Sequence, residues 1–286
     1  MSIILALLAA VFASLTNILV KIGMENVNSN LATAIRTVIV IIMAFIVVVV
    51  TKQLPAITMI PNKALAFILL SGISTGLSWL FFFRALAVGD VSKVVPIDKS
   101  SIVLTILLSI LILGEKAVPN IIVGGALIAF GTFVLIGKNE EKKRFTGSQF
   151  YIVYAILGAV FAALTSILAK IGMEGVDSNV ATFLRTIVVL VFAWAIVLFQ
   201  GTHREMKRIT SKSYLFLILS GVATGLSWLC YFAAIAIGKV SVVAPIDKFS
   251  VVITMILGFV ILKEKATKYT VIGGIFITVG TALLIF

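Results

Sequence analysis

The chain is written twice. Residues 1–137 align with residues 150–286 after a shift of 149 positions, without a gap and with about 65 identities. AVFASLTNILVKIGMENVNSNLATAIRT (10–37) returns as AVFAALTSILAKIGMEGVDSNVATFLRT (159–186), and VPIDKSS (95–101) as APIDKFS (244–250). Even the loops keep their lengths, so whatever one copy folds into, the other must fold into as well.

Each copy is nearly all apolar. Hydrophobic residues make up 61% of the chain and charged residues 12%, with a mean hydropathy of +1.24; a soluble domain carries about a quarter charged residues. Apolar runs of roughly 20 residues recur, long enough to cross a bilayer core as helices. Five are read per copy, at 3–22, 31–51, 65–88, 92–113 and 118–137, and again 149 residues later. The first is not read as a cleaved signal peptide, because no basic segment precedes it and its copy at 152–171 lies mid-chain.

An odd number of crossings places the two ends of a repeat on opposite sides of the membrane. The second copy then enters the bilayer inverted, an arrangement typical of secondary transporters with a midplane site between the repeats. The expected fold is therefore an all-α integral membrane protein of ten transmembrane helices in two inverted-topology five-helix repeats. Residues 1–137 form the first repeat, 138–149 a basic linker and 150–286 the second repeat.

The net charge of +12 does not point to nucleic acid, because the basic residues gather in the turns between apolar spans. With Arg36, Arg84, Lys99, Arg185 and Lys248 set aside as lying in or near helices, about 13 fall after odd-numbered spans and 5 after even-numbered ones. By the positive-inside rule the linker and the loop 202–212 face the cytoplasm and both termini lie outside.

Several chemistries are excluded. Cys230 and His203 are the sole cysteine and histidine, so no disulfide framework, metal cluster or histidine relay is expected. No cofactor is expected either. The stretch Gly72-Ile73-Ser74-Thr75-Gly76 fits G-x-S-x-G, but it lies in an apolar helix and its copy has Ala223 in place of Ser74. Gly72/Gly76, Gly221/Gly225, Gly124/Gly131 and Gly273/Gly280 read instead as small-residue pairs that let membrane helices approach closely. No G-x-x-x-x-G-K-[ST] motif for ATP is present.

Charges within apolar spans are the candidate functional residues, since burying them costs several kcal/mol. Asp98, Ser101 and Thr105 lie at i, i+3 and i+7, a polar stripe with Lys99 at its edge, and Asp247, Ser250, Thr254 and Lys248 repeat it. Adjacent Asp and Lys point about 100° apart on a helix, so each is expected to pair elsewhere. Pro96 and Pro245 mark either a first turn or a break. These groups either line a transport path or snorkel at the interface. In the first span Asn17 and Lys21 share a face, matched by Ser166 and Lys170; the lysines are ligands or snorkelling ends. Arg36 and Arg185 open their spans, either as interfacial anchors or as functional charges. Trp79 and Trp228, with Phe83 and Phe232 four residues on, either wall a cavity or pack between helices. Glu115-Lys116 and Glu264-Lys265 read as turn chemistry at helix ends.

Lys21 late in the first span, Arg36 opening the second, a proline early in the fourth, and LGEK (113–116) or LKEK (262–265) closing it form a recognisable set. The chain resembles the EamA-like family of the drug/metabolite transporter superfamily, over nearly its whole length. It is especially similar to members that exist as single five-helix units carrying P-I-D-K, here in tandem. The resemblance implies a central cavity walled by spans 1, 3, 4, 6, 8 and 9, and export or exchange of small metabolites such as amino acids, sugars or nucleotide sugars. It also implies cytoplasmic termini, against the charge tally.

The function expected is alternating-access transport of a small organic metabolite, anionic or amino-acid-like, across the inner (plasma) membrane of a prokaryote. Lys99 and Lys248 would attract the anion, while Asp98 and Asp247 set their charge or carry a coupling proton. The expected partners are the lipid bilayer and the small-molecule substrate, with the chain a monomer or homodimer. A proton-coupled multidrug cation exporter is the alternative, weakened because the nearest carboxylate to the first span is Glu25, beyond its end. A membrane lipid-metabolism enzyme lacks a repeated nucleophile–base pair, and a non-transporting assembly subunit gives no reason for matched Asp-Lys pairs.

Overall fold

The computed structural model describes residues 1–24, 27–88, 91–136, 150–263 and 266–286, all helix or connection with no strand among them. The twelve α-helices are α1 Ser2–Gly23, α2 Ser29–Val50, α3 Asn62–Val88, α4 Val91–Lys99, α5 Ser101–Leu113, α6 Pro119–Ile136, α7 Phe150–Gly172, α8 Ser178–Phe199, α9 Ser211–Ile237, α10 Val240–Asp247, α11 Ser250–Ile261 and α12 Lys268–Ile285. The linker at 138–149, Glu25, and Glu264-Lys265 lie outside the described residues.

Eight described helices are long and apolar enough to cross a membrane, counting α10 and α11 together, and α6 is a shorter apolar helix. The chain is thus a multi-pass, all-helical membrane protein. The fourth span of the first copy is not among the eight. It is two short helices, and it carries Lys93, Asp98 and Lys99.

Helix starts follow the sequence locally. Asn28 accepts from the backbone N–H of Asn30 at 2.9 Å, and Asp177, its copy, accepts from Asn179 at 2.7 Å, capping α2 and α8. Outward faces carry large apolar side chains such as Ile4, Leu8, Val11 and Leu15 on α1, spaced as one helical stripe suited to lipid.

The two copies interlock. α1 packs on α9 and α3 on α7, so each copy's first helix meets the other copy's third. Small residues (Ala6, Ala9 and Ala10 on α1; Ala155, Ala159 and Ala163 on α7) are fully buried there. Across these contacts Ser227 Oγ donates to the Ala9 carbonyl and Ser78 Oγ to the Gly158 carbonyl, each at 3.0 Å.

Equivalent helices also pack on each other, α2 on α8 and α6 on α12. A Cβ placed on Gly124 would lie 2.8 Å from the Gly280 carbonyl oxygen, and one on Gly131 would lie 2.6 Å from that of Gly273. Only glycine permits this approach. The pairing of 124 with 280 and 131 with 273 makes α6 and α12 antiparallel. Likewise α2 and α8 meet through Asn30 with Gln200 (2.7 Å) and Gln53 with Asn179 (3.3 Å), so start meets end.

The fourth span is broken in both copies, which undoes the single polar stripe read from sequence. α4 ends at Lys99 and α5 begins at Ser101, while α10 ends at Asp247 and α11 begins at Ser250. The breaks close with i→i−3 bonds: the Ser100 N–H to the Ile97 carbonyl at 3.1 Å, and the Phe249 N–H to the Ile246 carbonyl at 2.9 Å. Pro245 lies inside α10, where its missing N–H weakens the turn. Asp98 and Ser101 therefore belong to different helices and form no single stripe.

Candidate functional site

Two adjoining cavities occupy the interface between the copies, one of about 330 Å³ and one of about 660 Å³. Trp79, Trp228, Ser101 and Lys248 line both. The smaller is reached by Arg185, Asp247, Thr105, Ser166 and Phe232; the larger by Arg36, Asp98, Lys99, Asn17 and Phe83. Arg36 and Arg185 are 149 residues apart, as are Asp98 and Asp247, so the cavities hold copies of the same charged groups.

The Asp-Lys pairs do not separate as the helix geometry predicts. Lys99 Nζ sits 3.1 Å from Asp98 Oδ2, and Lys248 Nζ 3.6 Å from Asp247 Oδ2. Lys99 is the last residue of α4 and Lys248 the first after α10, so each pair lies at a helix end rather than within a regular helix. Each lysine is spent largely on its own aspartate.

Of the two readings open for the arginines, the interfacial anchor fails for Arg185. Arg185 is 1% exposed, deep among α3, α8 and α9 rather than at an interface. α8 begins at Ser178, which puts Arg185 two turns in, about 10 Å along the axis. Its Nη2 donates to Thr75 Oγ1 at 2.8 Å, its Nε to Ser71 Oγ at 3.3 Å, and its guanidinium lies 3.9 Å from the Phe232 ring centroid. Arg36 repeats the arrangement, donating through Nη2 to Thr224 Oγ1 at 2.7 Å. Gly72 and Gly221 bring α3 and α9 against the backbone of these arginines: a Cβ on Gly72 would lie 2.8 Å from the Arg185 carbonyl, and one on Gly221 3.1 Å from that of Arg36. The signal was present as Ser71, Thr75 and Ser78 at i, i+4 and i+7, repeated by Ser220, Thr224 and Ser227. That polar stripe on an apolar helix needed a buried donor facing it.

Four predicted residues line neither cavity. Thr254 accepts from Asn17 Nδ2 at 3.1 Å, and Ser250 is buried. Lys21 lies in the last turn of α1. Lys170 donates to the carbonyls of Ile235, Ala236 and Gly238 at 2.9, 3.0 and 2.9 Å, closing the end of α9. Glu115 does more than end a helix. Its carboxylate accepts from the N–H groups of Val240 and Ser241 at 2.7 and 3.0 Å, and from the Ser241 hydroxyl, capping α10 from the other copy.

The sequence profile of the EamA-like transporter family matches residues 1–137 and again residues 149–286. The chain belongs to the EamA-like transporter family. A curated relative from Sinorhizobium sp., described as an uncharacterized transporter in the cobO 3' region, is 43% identical over 137 residues, which is 48% of this chain and 97% of that protein. One EamA unit of this chain thus corresponds to the relative's nearly full length. A solved crystal structure of a protein whose description names no activity shares the fold, with a TM-score of 0.79 at 17% identity over 99% of this chain and 96% of that one. This EamA-like protein is a membrane transporter by family, and its charged cavity is the candidate path.

Proposed function

We propose that the protein is a secondary transporter of a small organic metabolite, working by alternating access as one repeat rocks against the other in the inner membrane of a bacterium. In this reading the chain crosses the bilayer ten times, with α4–α5 and α10–α11 each forming one broken crossing and α6 a short one. The antiparallel packing of α6 on α12 and of α2 on α8 supports inverted repeats, since equivalent helices of parallel repeats would run the same way.

The observation that carries the reading is the pair of adjoining cavities walled by both copies and furnished twice with an arginine and an Asp-Lys pair. Charges in such a place are expensive and mark a path. The two cavities are unequal. Arg185 is fully buried beside the smaller one, whereas Arg36 beside the larger is partly exposed and that cavity reaches Thr33, one turn into α2. Unequal cavities of this kind are what an inverted repeat in one state of an access cycle would have. A multidrug cation exporter is not favoured, because the described cavity walls carry four cationic side chains against two carboxylates. The test is uptake of a radiolabelled metabolite panel into proteoliposomes, with and without an imposed proton gradient. Counterflow of at least one metabolite, saturable and lost on scrambling the repeats' contact by Gly131→Leu, is the expected result. Flux of water and ions alone would refute the reading.

A further inference from the structure

We propose that Arg185 is an oxyanion-binding group of the smaller cavity and Arg36 its counterpart in the larger, so that a carboxylate or phosphate on the transported molecule passes from one guanidinium to the other. The passage rests on the transport reading above; the binding does not.

The lysines first singled out by the sequence are poor anion receptors as placed, because each lies against its own aspartate. The arginines have no such partner. Among the described residues no carboxylate lies within ion-pair distance of either, and Arg185 Nη1 and Arg36 Nε are buried without a hydrogen-bond partner. The hydroxyls that Arg185 does bond cannot neutralise it. Ser71 Oγ donates onward to the Thr165 carbonyl at 2.8 Å and Thr75 Oγ1 to the Ser71 carbonyl at 3.1 Å, so both present lone pairs to the guanidinium and orient it. Thr224 does the same for Arg36, donating to the Ser220 carbonyl at 2.7 Å.

The result is a fixed cation in the wall of the smaller cavity, its face held on Phe232 and one nitrogen, Nη1, buried and uncommitted. A buried, unpaired charge of this kind is stabilised by a counter-charge that accepts its remaining hydrogen bonds. One uncommitted nitrogen suits a single oxyanion. The hydroxyl pair of Tyr231 and Ser166, 2.8 Å apart on the same cavity wall, uses one O–H between them and leaves one further donor beside it. The aromatic walls of Trp79 and Trp228 then receive the organic remainder.

The experiment is a tryptophan-fluorescence titration of the purified full chain in detergent, since Trp79 and Trp228 line both cavities. The probes are sodium acetate and inorganic phosphate, with glucose and choline chloride as neutral and cationic controls. Saturable change with acetate or phosphate and none with the controls is expected, and the two arms tell a carboxylate from a phosphate site. Arg185→Met and Arg36→Met are each expected to weaken the response about tenfold or more, the effect of losing a charge-assisted bond, while exposed Lys63→Met leaves it unchanged. Where Arg185→Met does not fold by circular dichroism, Thr75→Val keeps the charge, removes its orienting hydroxyl and is expected to weaken binding several-fold. No response to either anion, or wild-type response in both arginine variants, would overturn the proposal. Uptake of a neutral or cationic metabolite that survives Arg185→Met would sink the anion site and spare the transporter; anion binding without flux of any solute would do the reverse.

Discussion

Replacing Glu115 with alanine tests whether the two repeats move against each other. α10 starts at Val240 behind Lys239, whose side chain supplies no cap. The orphan N–H groups of Val240 and Ser241 are satisfied instead by a carboxylate from the other copy, while Lys170 takes the open carbonyls at the end of α9. The α9–α10 corner is thus held by an anion at a helix start and a cation at a helix end, both matched to the helix dipoles. Two charge-assisted bonds and one hydroxyl bond at a partly exposed site are worth about 2–3 kcal/mol in sum. If the repeats rock, this contact exists in the state seen and is lost when the corner swings open. Glu115→Ala then shifts the balance of states by roughly 30- to 150-fold towards opening on that face.

The assay is cysteine alkylation in a Cys230→Ala background, with reporters at Ala244 in the smaller cavity and Thr33 in the larger. With Glu115→Ala, labelling at the Ala244 position should rise by about tenfold or more while that at the Thr33 position falls, because alternating access couples the two mouths. The reciprocity makes the outcome independent of which face is cytoplasmic. Unchanged rates at both reporters in a folded variant would make the Glu115 cap a fixed strut and remove the asymmetry argument for rocking.

Other expectations follow from the same packing. Gly280→Ala places a Cβ 2.6 Å from the Gly124 carbonyl, and the forced separation of α6 and α12 should cost about 1–3 kcal/mol, seen as a lower Tm in detergent. Lys99→Met/Lys248→Met should largely keep the fold yet impair uptake, and adding Asp98→Asn/Asp247→Asn should restore part of it, since each lysine mainly offsets its neighbour; equal loss in both variants would make the lysines direct ligands. If the linker at 138–147 faces the cytoplasm, as the charge tally argues, a cysteine at Ser148 in the Cys230→Ala background should resist an impermeant reagent applied to intact cells. Labelling there would restore the cytoplasmic termini implied by the family.

What the sequence made legible was governed by period and identity; what it hid was governed by depth and partner. The repeat, the apolar spans and the glycine pairs at 124/131 and 273/280 could be read because each is a pattern along one helix, and the structure uses each for helix packing. Arg185 was misplaced because an apolar-run reading starts a helix at the first hydrophobic residue, whereas the Asp177 cap starts it at Ser178 and carries the arginine further inward. The Asp-Lys pairing was missed for a related reason: ideal-helix angles were applied across a site where the helix ends. Glu115 read as turn chemistry and Lys170 as a ligand or a snorkelling end because their partners lie on other helices, and in Glu115's case in the other copy, a relation no single-helix pattern contains. Residues whose roles are set across the repeat interface are those a rocking motion would disturb, so the positions hardest to read from sequence are also the ones on which the transport cycle should depend.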